Sequence, residues 1–287
     1  MLIQQLTIVG VGLIGGSLAL ALREAGVVGE IVGAGRDEAH LRRARELGVI
    51  DRYSLDPAEA VRGADMVLLA VPVGAMEAVM RAIAPALGAD TVLTDAGSTK
   101  GSVIEAARAA FGELPANFVP GHPIAGTENS GVEAAFAELY RGRRVILTPT
   151  AASSVEAVNR VRAMWQAAGA EVTEMDAGHH DRVLAATSHL PHLLAFSLVD
   201  TLAKLDEKEE IFAYAAGGFR DFTRIASSDP QMWRDICVHN EPALLAMLDR
   251  FEADLKNLRQ AIAGDDGDYL LKVFGRAKAA RDRFCDE

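Results

Sequence analysis

His122 stands directly before Pro123 in the stretch "GHPIAGTENSG" (121–131). Proline fixes its own φ and biases the preceding residue toward extended backbone, so this imidazole sits on a stiff piece of chain. It is either aimed at something or an incidental member of a surface turn. Three further stretches carry unusual polar content. "TDAGSTKGSV" (94–103) offers Ser98, Thr99 and Lys100, with Ser98 or Thr99 equally able to cap the helix that follows. "ATSHLPHLLAF" (186–196) sets His189 and His192 three apart on one helical face. Histidines at that spacing can bind a metal, but no carboxylate or cysteine of suitable spacing completes a site. The pair is therefore read as contacting substrate, with helix packing the alternative for His189. "GFRDFTRIASSDPQMWRD" (218–235) gathers Arg220, Arg224 and Arg234 with Trp233. Arginines four apart share a face and repel unless an anion lies between them, which suggests a carboxylate pocket. Salt bridges to Asp221 and Asp229 would explain one of them instead.

Gly10, Gly12 and Gly15 in "VGVGLIGGSLA" give the G-x-G-x-x-G spacing between a strand and a helix, the context in which this pattern signals a dinucleotide. Gly10 allows the tight turn, Gly12 lets backbone approach a pyrophosphate, and Gly15 permits close helix–strand packing. Leu13 and Ile14 of the same turn, Val71 and Pro72 at the end of a later strand, and Ser98 near the nicotinamide join the expected cofactor-binding set. An acidic residue about 20 positions on normally binds the ribose of NAD. Here that count reaches Gly35, followed by Arg36, which could pair with a 2′-phosphate. NADP is favoured over NAD, the alternative being that Asp37 takes the acid's role while Arg36 faces solvent.

These residues need elements to position them. "QLTIVG" (5–10), "EIVGAG" (30–35), "ADMVLLAVP" (64–72), "ADTVLTDAG" (89–97), "ANFVPGH" (116–122) and "RRVILTP" (143–149) read as strands. Helical segments lie between them, and a helix–strand pair over 155–176 closes this half. Strands alternating with helices predict a parallel α/β sheet. After Asp176 the strand patterns stop. A long apolar-striped helix over 179–205 is expected to kink at Pro191, and 228–264 is mostly helical, with Pro230 at a helix start. The predicted boundary therefore divides residues 1–176, a Rossmann dinucleotide-binding domain, from residues 177–287, an all-helical domain. Apolar stripes in the helical half exceed what its own core needs, pointing to a subunit interface.

Composition narrows the class. Of 287 residues, 50% are hydrophobic and 24% charged, which suits a globular core. A net charge of −11 disfavours nucleic acid as a partner. Two cysteines, Cys237 and Cys285, make neither a disulfide framework nor a zinc spacing. Residues 1–9, "MLIQQLTIV", lack a basic n-region, so no signal peptide is expected, and no uncharged apolar run reaches membrane-spanning length, so a cytoplasmic protein without a membrane partner is expected.

Taken in order, "GVGLIGGSLA", "DAGSTKG", "GHPIAGTENSG", "SHLPH" and "GFRDFTRIASSDPQMW" resemble the prephenate/arogenate (cyclohexadienyl) dehydrogenase family of tyrosine biosynthesis, across essentially the whole chain. The resemblance implies an N-terminal Rossmann domain, a C-terminal all-helical dimerisation domain and a homodimer. It implies oxidative decarboxylation of prephenate or arogenate to 4-hydroxyphenylpyruvate or tyrosine, with hydride passing to NAD(P)+. By the same resemblance His122 accepts the proton of the ring 4-hydroxyl, and Ser98 bonds that hydroxyl or fixes the imidazole. Arg224 holds the ring carboxylate, and His192 with Arg220 faces the side arm. Glu128, Trp233 and His189 complete the substrate site. Arg220 stands where lysine is expected in some relatives. No mutase segment or regulatory tyrosine-binding domain is expected, and the balance between substrates leans toward arogenate. The competing readings are another two-domain NAD(P)-dependent dehydrogenase or imine reductase, and a non-catalytic NADP-sensing protein.

Overall fold

The computed structural model describes residues 1–284, so Cys285 lies outside the described residues. Nine strands and thirteen α-helices follow one another along them. The strands are β1 (Ile3–Val9), β2 (Val28–Ala34), β3 (Arg52–Ser54), β4 (Met66–Leu69), β5 (Val92–Asp95), β6 (Phe118–Val119), β7 (Gly121–Pro123), β8 (Arg144–Leu147) and β9 (Glu171–Glu174). The helices interleaved with them are α1 (Leu13–Glu24), α2 (Glu38–Glu46), α3 (Pro57–Ala60), α4 (Met76–Ile83), α5 (Lys100–Phe111) and α6 (Val155–Ala167). Those that follow β9 are α7 (Ala177–Leu184), α8 (Leu190–Ala203), α9 (Lys208–Ala213), α10 (Gly217–Thr223), α11 (Pro230–His239), α12 (Glu241–Ala263) and α13 (Gly267–Phe284).

Six strands form a parallel sheet in the order β3-β2-β1-β4-β5-β6. The strand order reverses between β1 and β4, the position where open α/β sheets receive a ligand at their carboxyl edge. Side chains of successive strand residues point to opposite faces, and both faces are buried. Ile8, Leu68 and Trp165 belong to the core on one side, and Val67, Leu69, Met80 and Phe118 to the core on the other. This is the doubly wound α/β architecture that the alternating patterns predict.

A second, three-stranded sheet pairs β7 antiparallel to β8 and β8 parallel to β9. The single strand expected over 116–122 is therefore two strands in two sheets. Pro120 separates them, because a residue without an N–H cannot continue the ladder, and its carbonyl instead accepts from the Thr148 N–H at 2.9 Å. β3 and α3 carry no strong sequence pattern. β3 is three residues long and is held by pairing to β2 at the sheet edge.

By contact density the chain divides into two compact units, Met1–Glu241 and Pro242–Glu287. The first contains both sheets and the helices through α11. The second, as far as it is described, holds most of α12 and all of α13. The expected kink at Pro191 is displaced upstream: Ala185–His189 form a π-turn between α7 and α8, and Pro191 falls in the first turn of α8. A proline lacks the N–H that would reach back along the helix, and its ring crowds the carbonyl four residues before it. The wider turn ahead of Pro191 absorbs both problems. The stretch Ala177–Ala203 is long and apolar enough to cross a membrane by length and composition alone, and only 28% of its most apolar window is buried. His180, Asp181 and His189 of this stretch are buried, and each hydrogen-bonds a partner elsewhere in the chain.

Candidate active site

The carboxyl edge of the parallel sheet has the features of a dinucleotide cradle. Gly10 adopts φ +97°, and a Cβ there would lie 2.4 Å from the Ala70 carbonyl oxygen, so only glycine fits against β4. A Cβ on Gly15 would meet the Gly10 oxygen at 2.5 Å and Ile8 at 2.7 Å, which keeps α1 tight on β1. Gly12, by contrast, faces open space and caps α1 without any side chain to occupy the helix N–H groups. An anion fits there. Leu13 is buried, and the carbonyl of Ile14 accepts from the Tyr140 hydroxyl at 2.6 Å. Val71 packs beside Gly10, and Pro72 begins the 3-10 turn Val73–Ala75.

Beyond β2, Arg36 is exposed. Asp37 caps α2 by accepting from the His40 N–H at 3.1 Å. The His40 imidazole reaches back to the Val11 carbonyl at 2.7 Å, tying α2 to the fingerprint turn.

The loop between β5 and α5 is pinned by a buried ion pair. Lys100 and Asp95 are both fully buried and bond each other directly. Asp95 also accepts from the N–H groups of Gly97 at 2.7 Å and Gly121 at 3.1 Å, and the Lys100 ammonium donates to the Gly121 carbonyl at 2.6 Å. Lys100 is thus a structural partner of the strand carrying His122 rather than a group facing the cofactor edge. Burial lowers its pKa, and Asp95 opposes that. Ser98 sits half-buried within the pinned loop. No side chain of that loop caps α5: Thr99 bonds Ser102 at 2.6 Å instead. The cap comes from Asp181 of α7, whose two carboxylate oxygens accept from the Lys100 and Gly101 N–H groups at 2.8 Å each.

His122 lies on β7, opposite Ile146 of β8, and is 8% exposed. Its Nδ1 is 2.8 Å from Nε2 of His180, and Nδ1 of His180 is 2.8 Å from Oδ1 of Asp181. Burial pushes the His122 pKa well below the usual imidazole value, and nearby His180, Lys100 and His189 push it the same way. Burial also lowers His180, against the pull of Asp181. For Asp181 burial acts upward, but bonds from His180 and the two backbone N–H groups outweigh it, so its carboxyl is held below the usual range.

The π-turn brings His189 and His192 to the same indole. His192 stacks on Trp233 with ring centroids 3.6 Å apart, and His189 meets the same ring edge-on at 6.2 Å. Nδ1 of His189 contacts the Asn240 side-chain nitrogen at 2.9 Å, and that amide also donates to the Asp181 carbonyl at 2.9 Å. Among the described residues, Nε2 of His189 and Nε1 of Trp233 are buried without a hydrogen-bond partner. Burial lowers His189 to about 4. It lowers His192 too, with Arg224 close enough to add repulsion. Arg224 is exposed and pairs with Glu128 at 3.4 Å, not with Asp221 or Asp229. Asp229 caps α11, and Arg234 is taken up by Asp235 at 2.6 Å. Arg220 remains exposed on α10.

The structure therefore joins His122, His189, Trp233 and His192 through short chains of contact, with the Arg224–Glu128 pair linked to His192 by charge alone, while among the described residues Ser98 and Arg220 make no hydrogen bond to this group. Sequence reasoning passed over His180, Asp181, Asn240 and Asp95. The only local hint was the "HHD" run at the start of α7. Among the described residues, no group of three or more His, Cys, Asp or Glu side chains is placed to hold a metal ion.

Comparison with known proteins identifies the family of the chain. Residues 18–174 match the nucleotide-binding domain of prephenate dehydrogenase, and residues 176–276 match its dimerization domain. The chain is 45% identical over 281 residues to a cyclohexadienyl dehydrogenase of Zymomonas mobilis, covering 97% of this chain and 95% of that one. It is 36% identical over 280 residues to a prephenate dehydrogenase of Bacillus subtilis, covering 95% of this chain and 74% of the relative. Prephenate dehydrogenase from A. aeolicus, solved with hydroxyphenyl propionate and NAD+, superposes with a TM-score of 0.89 at 38% identity over 97% of each chain.

Proposed function

Because the chain belongs to the prephenate dehydrogenase family, we propose that His122 takes the 4-hydroxyl proton of prephenate or arogenate as the ring is oxidised and decarboxylated. The enzyme is an oxidoreductase of tyrosine biosynthesis that uses a nicotinamide cofactor on a small-molecule substrate. The observation that carries the role of His122 is its state. It is a buried imidazole held neutral at pH 7, on a strand fixed from both sides, next to the Ser98 loop at the cofactor edge. A neutral imidazole near its reacting proton is a competent general base.

The substrate ring carries a hydroxyl at C4 and a carboxylate opposite, and when bound the nicotinamide accepts the hydride that leaves C4. His122 removes the hydroxyl proton, leaving a dienone. The bond to the carboxylate then breaks, CO2 departs, and the electron pair aromatises the ring. The proton held on His122 returns to the phenolate oxygen, so the reaction balances with no net proton. Ser98 donates a hydrogen bond to the reacting oxygen. Arg224 holds the ring carboxylate by displacing Glu128, and His192 with Arg220 faces the pyruvyl or alanyl arm. His189 and Trp233 wall the pocket with their buried edges.

Gly10, Gly12, Leu13, Ile14, Gly15, Val71 and Pro72 hold the dinucleotide, with Ser98 toward its nicotinamide end. NADP is favoured over NAD: Gly35 supplies no carboxylate, Asp37 is engaged as a helix cap, and Arg36 is exposed beside the end of β2. We assign residues 1–176 to the cofactor domain and residues 177–287 to substrate binding and dimerisation. The family description of residues 176–276 and exposed Leu255, Ile262, Leu271 and Phe274 support a homodimer. A cytoplasmic location is the matching proposal. Measuring kcat/KM for both substrates with both cofactors, by absorbance of the reduced nicotinamide, tests the whole reading. No reduction with either substrate would reject it.

A further inference from the structure

We infer that His180 and Asp181 are positioning residues for His122, fixing its ring tautomer and thereby which of its nitrogens can take the substrate's proton. The inference rests on His122 being the base and adds what makes it one. The argument starts at the carboxylate end. Asp181 accepts the backbone N–H groups of Lys100 and Gly101 and lies 2.8 Å from Nδ1 of His180. A carboxylate holding two N–H donors is ionised and can only accept. His180 must therefore carry its proton on Nδ1.

His180 is fully buried, which disfavours its cation, so its Nε2 bears a lone pair. The contact from His180 Nε2 to His122 Nδ1 at 2.8 Å needs one proton, and only His122 can supply it. His122 is then Nδ1-protonated, with the Nε2 lone pair free to act as base. When that nitrogen takes a proton, the new positive charge is shared through His180 toward Asp181. The chain works as a carboxylate that orients a base, with one imidazole interposed. Asp181 does a second job in the same place, because its cap fixes the start of α5 and with it the Ser98 loop. The charged groups around His122 on the other elements do not compete for Nδ1: Lys100 is committed to Asp95 and the Gly121 carbonyl, and His189 to Asn240.

The test is ring-nitrogen NMR on the full chain with 15N-labelled histidine, the His122 signals being assigned by their loss in His122→Asn. The expected result at neutral pH is a protonated Nδ1 and a bare Nε2 on His122, and protonated Nδ1 on His180. A proton on Nε2 of His122 would overturn the inference. His180→Leu, which removes the acceptor, should abolish the Nδ1 preference and lower kcat by about 10²-fold or more, with KM kept within about threefold. His180→Gln, whose amide oxygen can accept from Nδ1, should recover about tenfold of that loss. Turnover within about threefold of normal in His180→Leu would also overturn it. If that variant does not fold, the wild-type tautomer and the glutamine variant still decide. Because the tautomer is read without substrate, a protein that reduces no cofactor with prephenate or arogenate would sink the proposed reaction without touching this result.

Discussion

Replacing Arg224 with alanine is the most informative perturbation of substrate binding, because the structure sets its size. In the free protein the guanidinium is exposed and faces Glu128 at 3.4 Å, with side-chain exposures of 61% and 44%. An exposed pair of this kind contributes about 0–1 kcal/mol, so Arg224→Ala should leave thermal stability nearly unchanged. A substrate carboxylate that displaces Glu128 gains charge-assisted hydrogen bonds worth roughly 1.5–3 kcal/mol. Subtracting the pair it displaces leaves about 0.5–3 kcal/mol, or roughly a 2- to 150-fold rise in KM. The contact exists before and during the chemistry, so kcat should stay within about threefold. Glu128→Gln removes the competitor and should lower KM by up to about fivefold. Initial rates at saturating cofactor, with a melting curve for each variant, provide the assay. An Arg224→Ala enzyme whose KM stays within about twofold of normal would refute the assignment. A fall in kcat at constant KM would instead move Arg224 into the chemical step.

His122→Asn should lower kcat by about 10²–10⁴ while substrate still binds, measured by steady-state turnover and by substrate protection against thermal unfolding. Arg36→Ala should reduce kcat/KM with NADP by about 10- to 100-fold and leave NAD nearly unaffected, since only the former carries a phosphate to pair; equal losses would remove the case for NADP. Stability should fall as pH drops. The pKa of His189 is depressed to about 4 in the folded state, so between about 6.5 and 4 the unfolded chain binds more protons. The stabilisation is complete above about 6.5 and is lost on the way down to about 4, by roughly 3 kcal/mol from this group, with His122 and His180 adding in the same direction. Unfolding free energies at pH 7 and pH 5 should differ by about 2 kcal/mol from this group, and His189→Gln should reduce the fall without abolishing it.

Backbone-level features of this fold were legible because they are local. The glycine fingerprint encodes a turn within six residues, and the buried runs of β1, β4 and β5 encode a parallel sheet by their apolar continuity. What sequence could not reveal is carried by long-range polar contacts. His180 meets His122 across 58 positions, and Asp181 caps α5 across 81. No pattern at either end announces the other, and "HHD" reads as an ordinary polar helix start. The same blindness made Ser98 and Thr99 candidates for a cap that a different helix supplies. Pro191 was a correct sign of irregularity, but the local rule could not say that the helix would widen before the proline instead of bending at it.

The buried Asp95–Lys100 pair looks expensive, since taking two charges out of water costs several kcal/mol that their attraction only offsets in good geometry. Its position explains it. Gly121 is the first residue after the chain leaves the main sheet, and it stands opposite Leu147 of β8. On either side of it, the Pro120 carbonyl bonds the Thr148 N–H, and the Ile124 N–H bonds the Arg144 carbonyl. In an antiparallel ladder alternate residues point their polar groups away from the partner strand, and Gly121 is such a residue. Its N–H finds Asp95 and its carbonyl finds Lys100. The ion pair thus stands in for the strand that Gly121 no longer has beside it. An apolar pair of the same volume would avoid the desolvation of two charges but orphan three buried backbone groups, the N–H of Gly97 and the N–H and carbonyl of Gly121, at about 1–3 kcal/mol each. It would also release the first residue of the strand that carries His122. A base that works through one nitrogen in one direction needs its backbone fixed as well as its tautomer. Asp95 with Lys100 fixes the first, and His180 with Asp181 fixes the second.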